Sequence, residues 1–251
     1  MHIDNSDALC RYVKDERGGR VMLSFSCGKD SIGSWLQLRK HGIEVTPVYL
    51  YRIPGLAFVE KSLRYYETWF RTPIIRMPHP TLYGWLNEFT FQAPERCSVI
   101  DEYDPPRFSY DDVFDIIRDA AGLGGDCLMA TGVRARDNPY RWSAVQKYGA
   151  LNETRNTFFP IFDWSKQQVV DAIREAGVKL PIDYKLFGRS FDGLDWRFMK
   201  PLKDNLPDDY AIVLDWFPMV EAEVRRIEYR AEYYEREAAR ATNGGLVDGA
   251  R

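Results

Sequence analysis

The order of short apolar runs and helical stretches from Val21 onward limits this chain more than any other feature. Val21-Met22-Leu23-Ser24-Phe25 has the length and composition of a buried strand. From Ser31 to His41 the apolar residues Ile32, Trp35, Leu36 and Leu38 recur at helical spacing, and Gly42 closes the stretch. Ile43 to Tyr51 is again β-rich, Ala57 to Phe70 suits a helix, and Pro73-Ile74-Ile75-Arg76-Met77 a third strand. Further on, Tyr110 to Ala121 reads as a helix, Cys127 to Thr131 and Thr157 to Phe162 as strands, and Lys166 to Ala176 as a helix. Ser165 is the expected N-cap of that last helix and Gly177 its end. Strands alternating with helices predict an α/β fold built on a doubly wound, mostly parallel sheet, with a C-terminal helical extension.

The remainder is less regular. Residues 1–20 read as a helical lead-in ending at Gly18-Gly19. Pro78, Pro80, Pro94, Pro105 and Pro106 mark residues 78–110 as an irregular or short-helical excursion, of the kind that serves as a lid or binding loop. The nucleotide-binding domain is expected over 21–205, with a loop-rich, aromatic stretch from Lys179 to Asn205. C-terminal helices follow over 206–241, the first from Pro207 to Trp216. From Pro218 to about Ala241 a charged helix carries Val220, Val224, Ile227, Ala231 and Tyr234 on one face. That face either packs on its own domain or meets a second copy or another protein through 218–241. Residues 242–251 read as a disordered tail.

A net charge of -3 gives the whole molecule no attraction to nucleic acid or anionic membrane. No run of 18 apolar residues is present, so no membrane span is expected. Cys10, Cys27, Cys97 and Cys127 are scattered, with no C-x-x-C pair, which argues against a zinc ribbon, an iron–sulfur cluster or a disulfide framework and fits a cytoplasmic setting.

Ser26-Cys27-Gly28-Lys29-Asp30-Ser31 falls between the first strand and the first long helix. A tight turn there points successive backbone N–H groups outward, and the helix adds its own unpaired N–H groups and the positive end of its dipole. Gly28 allows close approach of a phosphate, Ser26 and Ser31 offer hydroxyls, Lys29 brings a positive charge, and Cys27 is either a reactive thiol beside Lys29 and the helix N-terminus or a steric filler. Asp30 is expected to orient the loop or to help hold Mg²⁺. A Walker A pattern is absent. A second anion-suited stretch, Thr131-Gly132-Val133-Arg134-Ala135-Arg136-Asp137-Asn138-Pro139-Tyr140-Arg141, follows another strand. Strand C-termini share one edge in such a sheet, so its arginines can reach the same ligand.

The first element resembles the S-G-G-x-D-S loop of the PP-loop ATP pyrophosphatase superfamily. With Ser24-Phe25 before it, the stretch is similar to the phosphoadenylyl-sulfate (PAPS) reductase-like branch. Thr131-Gly132-Val133-Arg134 with Arg141 is similar to that branch's T-G-x-R…R element, and Pro160-Ile161-Phe162-Asp163-Trp164 to its P-x-x-D-W element. The resemblance covers roughly Val21 to Tyr184. It implies an adenine nucleotide alpha hydrolase-like (HUP-type) fold that binds MgATP, adenylates an acceptor and releases pyrophosphate. It implies nucleotide binding by Ser24, Ser26, Cys27, Gly28, Lys29, Ser31, Gly132, Arg134 and Arg141, with Lys29, Asp30 and Arg134 as the catalytic candidates, Asp30 through Mg²⁺ or the loop rather than by touching phosphate. Arg136, Arg189 and Asp192 are candidates for a substrate loop.

The departures matter as much. Cys27 stands where the family has its first Gly, at a cost of about 1 kcal/mol if φ is positive there. No cysteine follows Cys127, so the tail supplies neither the reductase nucleophile nor cluster ligands. Rival readings are a PAPS- or APS-using reductase or transferase with Cys27 or Cys97 as a displaced nucleophile, and a non-catalytic nucleotide-binding assembly protein. Asp163 or Ser165 is assigned to helix capping and Trp164 to packing. His79, between two prolines, reads as an exposed loop histidine. The acceptor is not legible.

Overall fold

The computed structural model describes residues 3–244. The elements run α1 (Ser6–Glu16), β1 (Arg20–Ser24), α2 (Lys29–Lys40), β2 (Glu44–Tyr51), α3 (Ala57–Phe70), β3 (Ile75–Pro78), α4 (Pro80–Asn87), α5 (Pro94–Tyr103), α6 (Tyr110–Ala120) and β4 (Leu128–Thr131). A 3-10 turn at Ala135–Asp137 leads to α7 (Pro139–Tyr148), β5 (Leu151–Asn152), β6 (Thr157–Phe158) and α8 (Lys166–Ala176). The chain closes with α9 (Asp183–Phe187), α10 (Trp196–Asn205), α11 (Pro207–Trp216) and α12 (Val220–Gly244). It divides into two compact units, Met1–Gly84 with Pro106–Ser190 and Trp85–Pro105 with Phe191–Arg251. Part of the proline-rich excursion therefore groups with the C-terminal helices, where the sequence placed 21–205 together.

The first unit is the α/β layer. Its six strands lie in the order β3-β2-β1-β4-β6-β5. All neighbours are parallel except the β5–β6 pair. From β1 the chain winds outward through β2 and β3, then returns to add β4 on the other side. The reversal puts the sheet's switch point between the C-terminal ends of β1 and β4, where ligands bind in open α/β sheets. Period-two alternation sends Met22, Val48 and Met129 to one face, against Val113, Phe114 and Ile117 of α6. The opposite face carries α2, α3 and α8. There Phe25 meets Trp35 and Tyr66 edge-on, and Trp35 stacks on Phe70 with ring centroids 3.7 Å apart. Helices on both faces make the sheet doubly wound.

Several elements depart from the sequence expectation. The strand over Thr157 to Phe162 stops at Phe158, and Pro160 has no N–H to continue a ladder. Residues 139–148, left without a helix by the sequence, form α7, capped by Asn138 and opened by Pro139. The stretch from Lys179 to Asn205 contains α9 and α10. Asp163 does not cap α8; it accepts hydrogen bonds from the backbone and hydroxyl of Ser6, while Ser165 is the N-cap, as expected.

In the second unit, Trp85 packs edge-on against Phe217, the Met219 N–H donates to the Phe91 carbonyl, and Gln92 Nε2 donates to the Trp216 carbonyl. α12 begins buried at Val220 and Val224 and is tied by Glu221 to Lys203 and Tyr210. Along the predicted apolar face, Ala231 and Tyr234 are exposed. The expected tail lies largely outside the described residues, and α12 runs on to Gly244. No helix among the described residues is long and apolar enough to cross a membrane.

Candidate functional site

The phosphate-suited loop sits at the switch point. Phe25 extends the β1–β2 ladder by donating its N–H to the Val48 carbonyl at 2.8 Å, and α2 starts at Lys29 with Gly28 as N-cap. Between them Cys27 takes φ +57°, the left-handed region that a glycine would occupy without strain. Its side chain is buried and burial pushes its thiol pKa well up, so the reactive reading of Cys27 gives way to a packing role. Gly28 has φ -75°, which any residue adopts; the demand there is space. A Cβ on Gly28 would lie 3.1 Å from Ser26 Oγ and 3.3 Å from Ser190 Oγ.

The loop is tied to itself by hydroxyls. Ser31 Oγ donates to the Gly28 carbonyl at 2.8 Å and accepts from the Ser26 N–H at 3.3 Å. Across the switch point Gly132 follows β4 at a very close approach. A Cβ there would lie 2.9 Å from the Asp30 carbonyl carbon and the Ser31 nitrogen, so only glycine lets β4 pass the first turn of α2. The neighbouring Thr131 hydroxyl is buried and has no hydrogen-bond partner among the described residues.

The charges form one chain. Asp30 Oδ2 accepts from Lys29 Nζ at 2.7 Å, and Asp30 Oδ1 accepts from Arg134 Nε at 2.8 Å. Arg134, 3% exposed, also pairs with Asp137 through Nη2 at 2.5 Å. Both Asp30 oxygens are thus engaged by cations, an arrangement suited to orienting the loop. Among the described residues no group of three His, Cys, Asp or Glu side chains is placed to hold a metal. Arg134 is a buried strut between two carboxylates rather than an open anion clamp.

Ser24, Ser26, Gly28, Lys29, Asp30, Ser31 and Gly132 line one cavity of about 490 Å³, joined by Tyr184, Arg189 and Ser190. The size suits a nucleotide-scale ligand. Arg136 and Arg141 are exposed, on the 3-10 turn and on α7, and neither lines this cavity. Asp192 belongs to the second unit. Cys97 lies in α5, also in the second unit, its thiol on the Ala93 carbonyl. Cys10 is buried, with its pKa pushed up to about 12 by desolvation. His79 is buried and not an exposed loop residue: Nδ1 accepts from the Thr81 N–H and Nε2 meets the Tyr110 hydroxyl, and burial lowers its pKa to about 4.

The composition of 184–197 marks that segment as a candidate substrate loop, but no sequence signal singles out Tyr184 and Ser190 within it. The Tyr184 hydroxyl accepts the Lys29 N–H at 2.8 Å. α3 anchors the chain on both sides of Tyr184: the Tyr66 hydroxyl donates to the Lys179 carbonyl, the Tyr65 hydroxyl accepts from the Lys179 N–H, and Phe58 meets Phe187 edge-on. The only available signal was the aromatic and polar composition of 184–197.

No protein-family model and no curated protein matches the chain. Among solved structures it is similar to an NH3-dependent NAD synthetase from Campylobacter jejuni in complex with the nitrate ion, at 14% identity. The match covers 90% of this chain and 93% of that one, with a TM-score of 0.43.

Proposed function

We propose that the chain is a PP-loop ATP pyrophosphatase of PAPS-reductase-like character, which binds MgATP and adenylates an acceptor with release of pyrophosphate. The observation that carries the reading is the placement of the Ser26–Ser31 loop. It combines the N-terminus of a 12-residue helix, three serine hydroxyls counting Ser24, and a lysine, at the switch point of a parallel sheet. Backbone N–H groups and the helix dipole there favour the charge that grows on a leaving pyrophosphate. Lys29 has only to exchange Asp30 for a phosphoryl oxygen to add a charge-assisted hydrogen bond. Arg134 holds Asp30 in place and so sets the direction from which Lys29 is retained or released. An acceptor oxygen attacks the α-phosphorus, the bond from that phosphorus to the bridging oxygen breaks, and pyrophosphate departs with the electron pair. Mg²⁺ bound with the nucleotide would share the charge on its phosphates.

Reduction of a sulfonucleotide fits less well, because Cys27 is a buried thiol with a raised pKa, Cys97 is not among the residues lining the cavity at the loop, and no cysteine lies beyond Cys127. The test is pyrophosphate release from ATP in the presence of mixed candidate acceptors. Lys29→Ala is expected to reduce release at least about 100-fold, the scale of one lost electrostatic contact to a developing charge. Full turnover by Lys29→Ala would refute the assignment of the loop.

A further inference from the structure

The Lys29 N–H is the first of α2 and has no acceptor within the helix, so it is one of the donors that a helix N-terminus presents to an anion. It is taken by the Tyr184 hydroxyl at 2.8 Å. The same corner collects further uncharged oxygens. From the position of a Cβ on Gly28, Ser26 Oγ is 3.1 Å away, Ser190 Oγ 3.3 Å and Tyr184 Oη 3.7 Å. Three hydroxyl oxygens therefore converge in front of Gly28, and their residues line the cavity at the loop. An amide proton makes one strong hydrogen bond, and a charged phosphoryl oxygen is a stronger acceptor than a phenol.

We propose that the Tyr184 hydroxyl is a built-in competitor for the phosphoryl oxygen at Lys29 N–H, so that nucleotide binding displaces Tyr184 from the loop. This rests on the loop being the phosphate site. It makes Tyr184 a positioning residue that tunes affinity from the α9 side, with Arg189 and Ser190 travelling on the same short segment. Burial raises the Tyr184 pKa, so the competing group is the neutral phenol throughout the neutral range. The consequence is opposite in sign to the usual effect of deleting a polar group from a site. Tyr184→Phe removes the competitor and leaves every donor of the loop in place.

The test is calorimetric titration of inorganic pyrophosphate into the full chain and into Tyr184→Phe. The expected result is binding by both, tighter in Tyr184→Phe by about 5-fold, the factor of one neutral hydrogen bond. Equal or weaker binding by Tyr184→Phe, with the wild type binding, overturns the competitor role and leaves the phosphate loop standing. Absence of binding by both overturns the loop and the competitor together. A measurement without substitution uses amide hydrogen exchange of the wild type: pyrophosphate should protect 27–31 and speed exchange in 183–190. Protection of 183–190 would make Tyr184 part of the bound site and overturn displacement.

Discussion

Gly28 and Gly132 are both glycines for want of space, against different neighbours. A Cβ on Gly28 meets serine side-chain ends, which can rotate away, whereas one on Gly132 meets the backbone of Asp30 and Ser31 at 2.9 Å. Gly28→Ala is therefore expected to melt within about 1 kcal/mol of the wild type, while Gly132→Ala loses about 1–3 kcal/mol because α2 must move off β4. Thermal unfolding of the two variants checks the contrast. His79 supplies a pH signature. Its folded pKa of about 4 lies below the ordinary 6.5, so the unfolded chain takes up the proton first as pH falls. The stabilisation is complete above about pH 6.5 and is lost progressively towards pH 4. The melting temperature should fall more steeply over that interval in the wild type than in His79→Gln; parallel curves would contradict the burial argument. At this scale the sequence showed the residue types of the loop well and their pairings poorly. It could pose the question of φ at Cys27, because the family resemblance implies glycine there. It could not reveal that Asp30 is shared by Lys29 and Arg134, since that contact joins positions 104 apart.

Helix α8 was legible end to end because its signals are local. Ser165 and Gln168 form a reciprocal capping box, with Ser165 N–H on Gln168 Oε1 at 2.7 Å, and Gly177 closes the helix in the left-handed region. α3 and α11 have the bounds expected although neither has a side-chain N-cap. α7 was not legible: its interior buries only Val145, so no apolar stripe announces it. α9 is five residues long, below the length at which periodicity can be read, and it is the element that brings Tyr184 to the loop. α12 shows the opposite limit, a regular apolar face of which the first turns are covered and Ala231 and Tyr234 are not. Val224→Ala, at a site 1% exposed, should cost about 1–3 kcal/mol, whereas Ala231→Ser should stay within about 0.5 kcal/mol, as read by denaturant unfolding.

For the molecule as a whole, the informative relation is between topology and chemistry. The alternation of strands and helices predicted a parallel sheet, and the structure adds the order β3-β2-β1-β4-β6-β5, which puts the Ser26–Ser31 loop beside Gly132. Pattern alone could not supply that order, because a strand's neighbours are chosen by packing across the sheet. The boundary of the compact units was likewise hidden, since 85–105 groups with described residues from 191 onward across a long interval of sequence. The central claim is that backbone N–H groups around Gly28 receive the phosphates of a nucleotide. Calorimetric titration of ATP with Mg²⁺ into the wild type and Gly28→Ala tests it most directly. The account predicts saturable binding by the wild type and at least about tenfold weaker binding by Gly28→Ala, with both proteins equally folded, because the added methyl fills the space of a phosphoryl oxygen. Equal affinity in the two proteins, or no binding by the wild type, would contradict it.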